Sequence, residues 1–302
     1  MSAKMKKITL GRTLEKSFRG FLVASMIVYC ISLLVVFAWV LFSSLKSYID
    51  FSLHAFSLPE KFEFGNYATV FKVFKITLTS KSGSRMSYGM DAMLIYSLVY
   101  SICRTFVSVA LYVLMAYAMS KYNFFGRDFL YALGIFVMIT PIVGSMPSMM
   151  RIKKALGLYN QMAASIFTCN PTAFSGLHFL LLYGAFKSMP WAYAEAAFMD
   201  GAGHWTVFLK IMLPMILPTC VVLYVLEFMG MWNDYQTFLV WLPSYPSLSL
   251  GLILFQYEAV KNRISMPVIL ASFVVVMIPI IILYAASQKL IMEKMNIGGL
   301  KG

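Results

Sequence analysis

Charge is scarce in this chain, and negative charge is scarcest. Of 302 residues only 12% are charged, with 12 Asp and Glu against 25 Lys and Arg, while 60% are hydrophobic. A water-soluble domain carries about 25% charged residues, so the composition excludes an ordinary soluble protein. The net charge of +13 does not indicate nucleic-acid binding. The basic residues are scattered over short segments between apolar runs and form no basic face interleaved with aromatics.

Reactive side chains are also few. The four cysteines lie in or beside apolar runs, without a Cys-x-x-Cys spacing or a histidine at metal-ligand spacing, so no metal site is predicted. No nucleophile and base occur at a recognised motif spacing, so we predict no catalytic residues and no membrane enzyme. His178 and His204 are isolated in the sequence and are interpreted as packing residues.

Long apolar stretches, in contrast, are abundant. A helix needs about 20 apolar residues to cross the roughly 30 Å hydrocarbon core, and its backbone amides must be satisfied within the helix. Six such stretches predict an all-α, polytopic membrane bundle of six transmembrane helices. They lie at residues 21–42, 92–119, 129–146, 164–186, 215–232 and 266–286.

The stretches also divide the chain into regions. Lys and Arg are dense before the first span, from Lys4 to Arg19, and positive charge near a first span is retained in the cytoplasm. We therefore expect a multi-pass protein of the cytoplasmic membrane with both termini in the cytoplasm. The predicted regions are a cytoplasmic tail at 1–20, a first transmembrane helix at 21–45, an extracytoplasmic loop at 46–90, a transmembrane core at 91–288 and a cytoplasmic tail at 289–302.

A polar, patterned segment follows the fourth stretch, from Lys187 to Pro214. Ser188 can cap a helix whose first turn contains Pro190, and Gly201 can close that helix in the left-handed conformation. We predict a short helix at 189–201.

One face of this short helix is expected to be exposed to another protein surface. Small and polar residues recur there at i, i+3, i+4 and i+7, namely Tyr193, Ala196, Ala197 and Asp200, with Glu195 beside them. An ordinary interfacial helix at the lipid headgroups is the alternative. A second helical run is predicted to carry an apolar stripe, formed by Trp205, Phe208, Leu209 and Met212.

The segment resembles a known signature. Glu195-Ala196-Ala197, then three residues, Gly201, nine residues and Ile211-x-Leu213-Pro214 are similar to the motif of permease subunits of ATP-binding-cassette importers. Trp232-Asn233-Asp234 and the tail at 298–302 resemble the carbohydrate-importing, maltose-type branch. The resemblance covers residues 17–302.

This resemblance implies a type I ABC importer permease fold with an ATPase-coupling helix. The implied coupling residues are Glu195, Ala196, Ala197, Asp200, Gly201, Ile211, Leu213 and Pro214. The implied partners are a second permease subunit, two cytoplasmic ATPase subunits, an extracytoplasmic solute-binding protein, a sugar and membrane lipid. The chain has no G-x-x-x-x-G-K-[ST] phosphate loop. We therefore expect no cofactor on this chain, with ATP and Mg on the ATPase subunits.

Two further sets of residues are candidates. Arg104 and Glu227 lie near the middle of the second and fifth spans, where a charge needs a partner or water. An intramembrane ion pair between them is one hypothesis, and a structural role or a contact with the second permease is the other. Aromatic and hydrogen-bonding groups together suit a sugar, which suggests a substrate path, whereas an interfacial aromatic belt is the alternative. That second set is Trp232, Asn233, Asp234 and Tyr235.

The predicted function is therefore the import of sugars, oligosaccharides above all, by a non-enzymatic permease subunit. Another polar solute, such as a phosphate ester, is the alternative cargo. A carrier driven by an ion gradient is the alternative mechanism, and it predicts inverted repeats and carboxylates within the spans.

Overall fold

A computed structural model of the chain describes residues 2–79, 85–140, 144–168 and 176–295. The α-helices are α1 Ser2–Ser44, α2 Tyr48–Leu53, α3 Gly65–Val73, α4 Met90–Lys121, α5 Arg127–Ile139, α6 Met146–Ala155, α7 Met162–Phe167, α8 Leu177–Ser188, α9 Ala192–Met199, α10 His204–Val207, α11 Leu213–Asn233, α12 Gln236–Val240, α13 Leu248–Lys261 and α14 Met266–Met295. A π-helix, Phe208–Met212, joins α10 to α11. The chain divides into two compact units, residues 1–73 with 258–275, and residues 74–257 with 276–302.

The first unit is built on α1, which continues from the basic tail through the first apolar stretch without a break. Within the span from Glu15 to Ser44, an 18-residue window reaches a mean hydropathy of 2.7, and none of that window is buried. A helix with apolar side chains exposed all round is typical of a lipid-facing span. The residues after it, α2, α3 and the loop between them, fold against its C-terminal end.

In the second unit, α4 is the central helix. Its buried residues recur at three- and four-residue spacing, at Val109, Tyr112, Val113 and Ala116, which places them on one stripe. That stripe packs against α8 and α11. The resulting core continues without a break into α9, α10 and the π-helix, so the short polar segment and the spans share one hydrophobic interior.

A two-stranded sheet is the departure from the all-helical expectation. Strands β1, Lys75–Thr79, and β2, Arg85–Gly89, pair antiparallel, with Lys75 opposite Gly89. Both lie in the segment predicted as an extracytoplasmic loop. The first strand alternates exposed and buried residues at Lys75, Ile76 and Thr77, a period of two that is too short to be distinctive in the sequence.

Four helices in the described ranges are long and apolar enough to cross a membrane, namely Glu15–Ser44, Met90–Lys121, His204–Asn233 and Met266–Lys289. They coincide with the first, second, fifth and sixth predicted stretches, which confirms the polytopic helical bundle. The third and fourth stretches are helical in shorter pieces. The third is represented by α5, whose 13 residues span about 20 Å, and the fourth by α7 and α8. Residues 141–143 and 169–175 lie outside the described part.

Candidate functional site

The short helix predicted at 189–201 is present as α9, Ala192–Met199. Its start differs from the prediction, because Ser188 ends the preceding helix and its hydroxyl donates to the Ala185 carbonyl at 2.9 Å. Pro190 therefore lies in the link between α8 and α9, where no helical amide is needed. Trp191 occupies the position that caps α9.

The end of α9 is as predicted, since Gly201 has a φ of 82°. Its amide donates to the Phe198 carbonyl at 3.0 Å, and the Ala202 amide donates to the Ala197 carbonyl at 2.9 Å. These two bonds form a Schellman motif, in which a left-handed residue satisfies the last helical carbonyls. Glycine adopts this φ without a Cβ penalty, so the chain reverses sharply into α10.

The two sides of α9 differ in exposure. The outer face is exposed and consists of Ala192, Glu195, Ala196 and Met199, flanked by Tyr193 and Asp200. Met199 is 88% exposed. Ala194 is fully buried, while Ala197 and Phe198 are partly buried against the core. The prediction that Ala197 shares the exposed face is therefore wrong in this structure, because its side chain points toward the bundle.

Beneath α9 lies a group of rings that we call the aromatic anchor, consisting of Tyr117, Tyr122, Trp191, Phe198 and His204. The Tyr122 hydroxyl lies 3.0 Å from Nδ1 of His204. The Trp191 ring is 6.0 Å from that of Phe198 and 6.1 Å from that of Tyr122. Phe198 also contacts His204, with ring centroids 4.9 Å apart. The anchor thus joins α9 to the C-terminal end of α4 and to the start of α10.

A charged group strengthens this attachment. The Lys121 ammonium, at the last residue of α4, donates to the Met189 carbonyl at 2.6 Å and lies 5.9 Å from the Trp191 ring centroid. A charge-assisted hydrogen bond of this length is stronger than a neutral one. The link preceding α9 is therefore held directly by the second span.

The backbone hydrogen bonding changes in the π-helix just before Pro214. Leu213 donates its amide to the Phe208 carbonyl, five residues back, which gives the wider turn that defines a π-helix. Pro214 has no amide to donate and occupies the first turn of α11, where none is required. Pro214 is exposed, while Ile211 and Leu213 are partly buried, so the signature's last residues shape the entry into the fifth span.

The predicted apolar stripe on the second run is divided between two environments. Phe208 and Met212 are buried in the core, whereas Trp205 and Leu209 are 70% and 53% exposed. Together with α4, the exposed pair lines an apolar groove of about 460 Å³.

Arg104 does not pair with Glu227 in the structure. Its guanidinium instead donates to the carbonyls of Ile166 and Thr168, at 2.9 Å and 2.7 Å, which are free because α7 ends there. Burial lowers the pKa of Lys153 on α6, and the positive charge of Arg104 lowers it further. Arg104 is thus bound to backbone carbonyls at the end of α7, which corrects the ion-pair hypothesis.

Glu227 is paired with a different residue. Its Oε2 lies 3.1 Å from Nδ1 of His178 on α8, and its Oε1 accepts from the Tyr112 hydroxyl at 3.4 Å. The Glu227 side chain is only 10% exposed. His178, interpreted from sequence as a packing residue, therefore supplies the polar partner that an intramembrane carboxylate needs.

The proposed substrate-path residues are not equivalent. Trp232 is 1% exposed, with its indole nitrogen donating to the Val276 carbonyl at 3.3 Å, so it is a core residue and its substrate assignment is corrected. Asp234 accepts from the Thr237 amide at 3.0 Å at the start of α12. Asn233 and Tyr235 are exposed. These two remain a prediction for the substrate path.

Sequence reasoning missed the aromatic anchor and the role of His178. The tyrosines at the end of α4 are separated by about 70 to 90 residues from Trp191 and His204, and helical periodicity carries no information across that distance. A signal did exist for His178, since a titratable residue within an apolar run is expected to have a partner. Within the described ranges, no three side chains of His, Cys, Asp or Glu gather in a metal-binding arrangement.

The fold and the site together define a class, a polytopic membrane subunit that presents a short helix attached to its bundle. The chain belongs to the family of binding-protein-dependent transport system inner membrane components, whose model matches residues 108–297. This confirms the resemblance found in the signature and disfavours the ion-gradient carrier.

Named relatives extend the similarity to nearly the whole chain. The chain is 26% identical to the diacetylchitobiose uptake system permease protein of Streptomyces coelicolor, over 96% of this chain and 92% of that protein. It is 27% identical to the maltodextrin transport system permease protein of Streptococcus pneumoniae, over 68% and 73% respectively. A solved bacterial ABC transporter for alginate import has a chain with the same fold, at a TM-score of 0.69 and 24% identity, covering 89% of this chain and 95% of that one.

Proposed function

We propose that this chain is the permease subunit of an ATP-driven importer, and that the outer face of α9 is the surface on which an ATPase subunit docks. The observation that carries the proposal is the difference in exposure between the two sides of α9. One side is exposed, with Glu195, Ala196 and Met199 on it, and the other is fixed to the bundle by the aromatic anchor. A helix of this design receives force at its surface and passes it inward.

The attachment determines where such a force goes. Lys121 is the last residue of α4, and Tyr122 follows it directly. His204 begins α10, which leads through the π-helix into α11. Displacement of α9 therefore moves two spans together. Closing of two ATPase subunits on MgATP would shift the bundle between inward-facing and outward-facing states, and hydrolysis would reset it.

The cargo we propose is a sugar, with oligosaccharides as the principal class. Two relatives that share most of their length with this chain are named for diacetylchitobiose and maltodextrin. An extracytoplasmic binding protein would deliver the sugar, and a second permease would complete the pathway. Because the basic N-terminal segment precedes the first span, we propose that both termini lie in the cytoplasm, on the same side as α9.

Cysteine cross-linking tests the docking surface. In a chain whose four native cysteines are replaced by alanine, Met199→Cys should cross-link to the ATPase subunit in assembled membranes, and ATP should alter the yield. The matched control is Phe125→Cys. Phe125 is fully exposed in the loop after α4, on the same predicted side of the membrane but outside α9.

The two positions give distinct outcomes. We expect strong cross-linking at position 199 and weak cross-linking at position 125. Equal yields at both positions, or none at 199 in an assembled and ATP-hydrolysing complex, would contradict the docking surface.

Uptake in vesicles tests the cargo separately. Labelled oligosaccharide uptake should require ATP and the binding protein and should be inhibited by vanadate. One relative is named for sulfoquinovosyl glycerol transport, so a polar glycoside is included as a competitor. ATP-dependent uptake of the glycoside without uptake of any oligosaccharide would replace the cargo but retain the importer.

A further inference from the structure

The segment after α1 folds back along that helix instead of extending away from it. The Trp39 indole nitrogen donates to the Ala55 carbonyl at 2.9 Å, and its ring stacks on Phe56 with centroids 5.9 Å apart. Trp39 lies within the uninterrupted apolar stretch that runs from Phe21 to Phe42. Phe56 is therefore held at the level of residues that are themselves inside the predicted span.

A buried lysine fixes this fold-back. Lys46 is fully buried, and its ammonium donates to the His54 carbonyl and to the Ser57 hydroxyl, the latter at 3.1 Å. A buried ammonium without hydrogen-bond acceptors would be costly, so these bonds hold residues 54–57 against the helix. We call the folded segment after α1, residues 46–64, the cap. The position of Phe56 is fixed by the fold of this cap.

Another part of the same cap lies farther along the helix axis. The Glu63 amide donates to the Leu45 carbonyl at 2.8 Å, and Phe64 follows directly. Trp39 and Leu45 are six residues apart, which corresponds to about 9 Å along a helix that rises 1.5 Å per residue. The cap thus presents Phe56 at a deeper level and Phe64 at a shallower one.

The deeper part is strongly apolar and open. Phe56 is 88% exposed, and Leu53 and Leu58 on either side of it are 70% and 69% exposed. Trp39 belongs to α1 and stacks on Phe56, so this patch adjoins the exposed surface of α1. Trp is favoured at the boundary between hydrocarbon and headgroups, and Trp39 lies beside Phe56.

We propose that Leu53, Phe56 and Leu58 form a seat in the lipid interface at the C-terminal end of α1, so that the cap rests in the membrane surface. These three side chains contact lipid of the leaflet at that end, at the boundary between its headgroups and acyl chains. This inference rests on the first unit alone and does not depend on the proposed docking of an ATPase.

Fluorescence quenching in proteoliposomes measures the depth directly. Phe56→Cys and, as the matched control, Phe64→Cys are each made in the cysteine-free chain and labelled with bimane. Both replaced side chains are mostly exposed, at 88% and 69%, so neither change empties the core. Each sample is quenched by aqueous iodide and by phosphatidylcholine carrying a nitroxide near the top of its acyl chain.

The proposal expects opposite behaviour at the two positions. The label at 56 should show several-fold weaker iodide quenching and several-fold stronger nitroxide quenching than the label at 64. Iodide quenching at 56 equal to that at 64 would overturn the lipid seat in favour of water. Weak quenching at 56 by both agents would also overturn it, since the patch would then be covered by protein.

Discussion

Replacing His178 by alanine removes the residue that pairs with Glu227 inside the bundle. The two polar atoms are 3.1 Å apart, and the side chains are 22% and 10% exposed. If both groups are charged, their attraction is about 5 kcal/mol at an effective dielectric constant of about 20. If the imidazole is neutral, its hydrogen bond to a carboxylate contributes about 1.5–3 kcal/mol.

These two limits bracket the expected loss. Removing one partner of a buried pair costs about 3–5 kcal/mol, and the residual exposure of His178 reduces this, so we expect about 2–4 kcal/mol. At about 2 °C per kcal/mol for a chain of this size, the Tm should fall by about 4–8 °C. The double variant His178→Leu with Glu227→Leu should recover most of this loss, because it leaves no unpaired charge.

Thermal unfolding of the purified complex in one detergent and buffer provides the assay. The His178→Ala, Glu227→Ala and double leucine variants are compared with the native chain. If the double variant loses as much stability as the two single changes added together, His178 and Glu227 do not stabilise the bundle as a pair. An unchanged Tm for His178→Ala would likewise show that the carboxylate does not need the imidazole.

Three other predictions concern backbone and core positions. Gly201→Ala, at a φ of 82°, should cost about 1 kcal/mol and lower ATP-dependent uptake, whereas an unchanged uptake rate would show that the tight reversal is dispensable. Gly251→Val should destabilise by about 1–3 kcal/mol, because a Cβ there would lie 2.3 Å from a methionine sulfur of α4; Gly230→Ala, with open space around it, is the unfolding control. Trp232→Ala should leave a cavity in the core, destabilise the protein by about 3–5 kcal/mol and leave the apparent KM of uptake unchanged. Tyr235→Ala, at an exposed position, should instead change the apparent KM and leave the Tm unchanged if Tyr235 lies on the sugar path.

The long spans could be read from the sequence because lipid imposes a simple requirement. An uncharged run of about 20 residues has few alternatives to a helix, and α4, α11 and α14 begin within two residues of their predicted starts. Gly201 was also predictable, since a left-handed helix end favours one residue type. These features depend on local chemistry alone.

Features that depend on rotation about a helix axis were not predictable. Counting residues placed Arg104 and Glu227 at similar depths, but depth does not determine which neighbour a side chain faces. Arg104 faces the end of α7 and Glu227 faces α8. The chemistry of Trp232 suits either a sugar path or an interfacial belt, although its side chain is buried in the core. Single-sequence periodicity gives a face only when neighbouring helices are known.

The separation of α9 into an outer and an inner set has an evolutionary consequence. Substitutions at Glu195, Ala196 or Met199 change exposed side chains, whereas Ala194 is buried in the core and Phe198 packs against it. If α9 is the docking surface proposed above, recognition of an ATPase subunit can diverge without repacking the bundle. On that proposal, exchanging only the outer residues between two related permeases should redirect one of them to the other's ATPase.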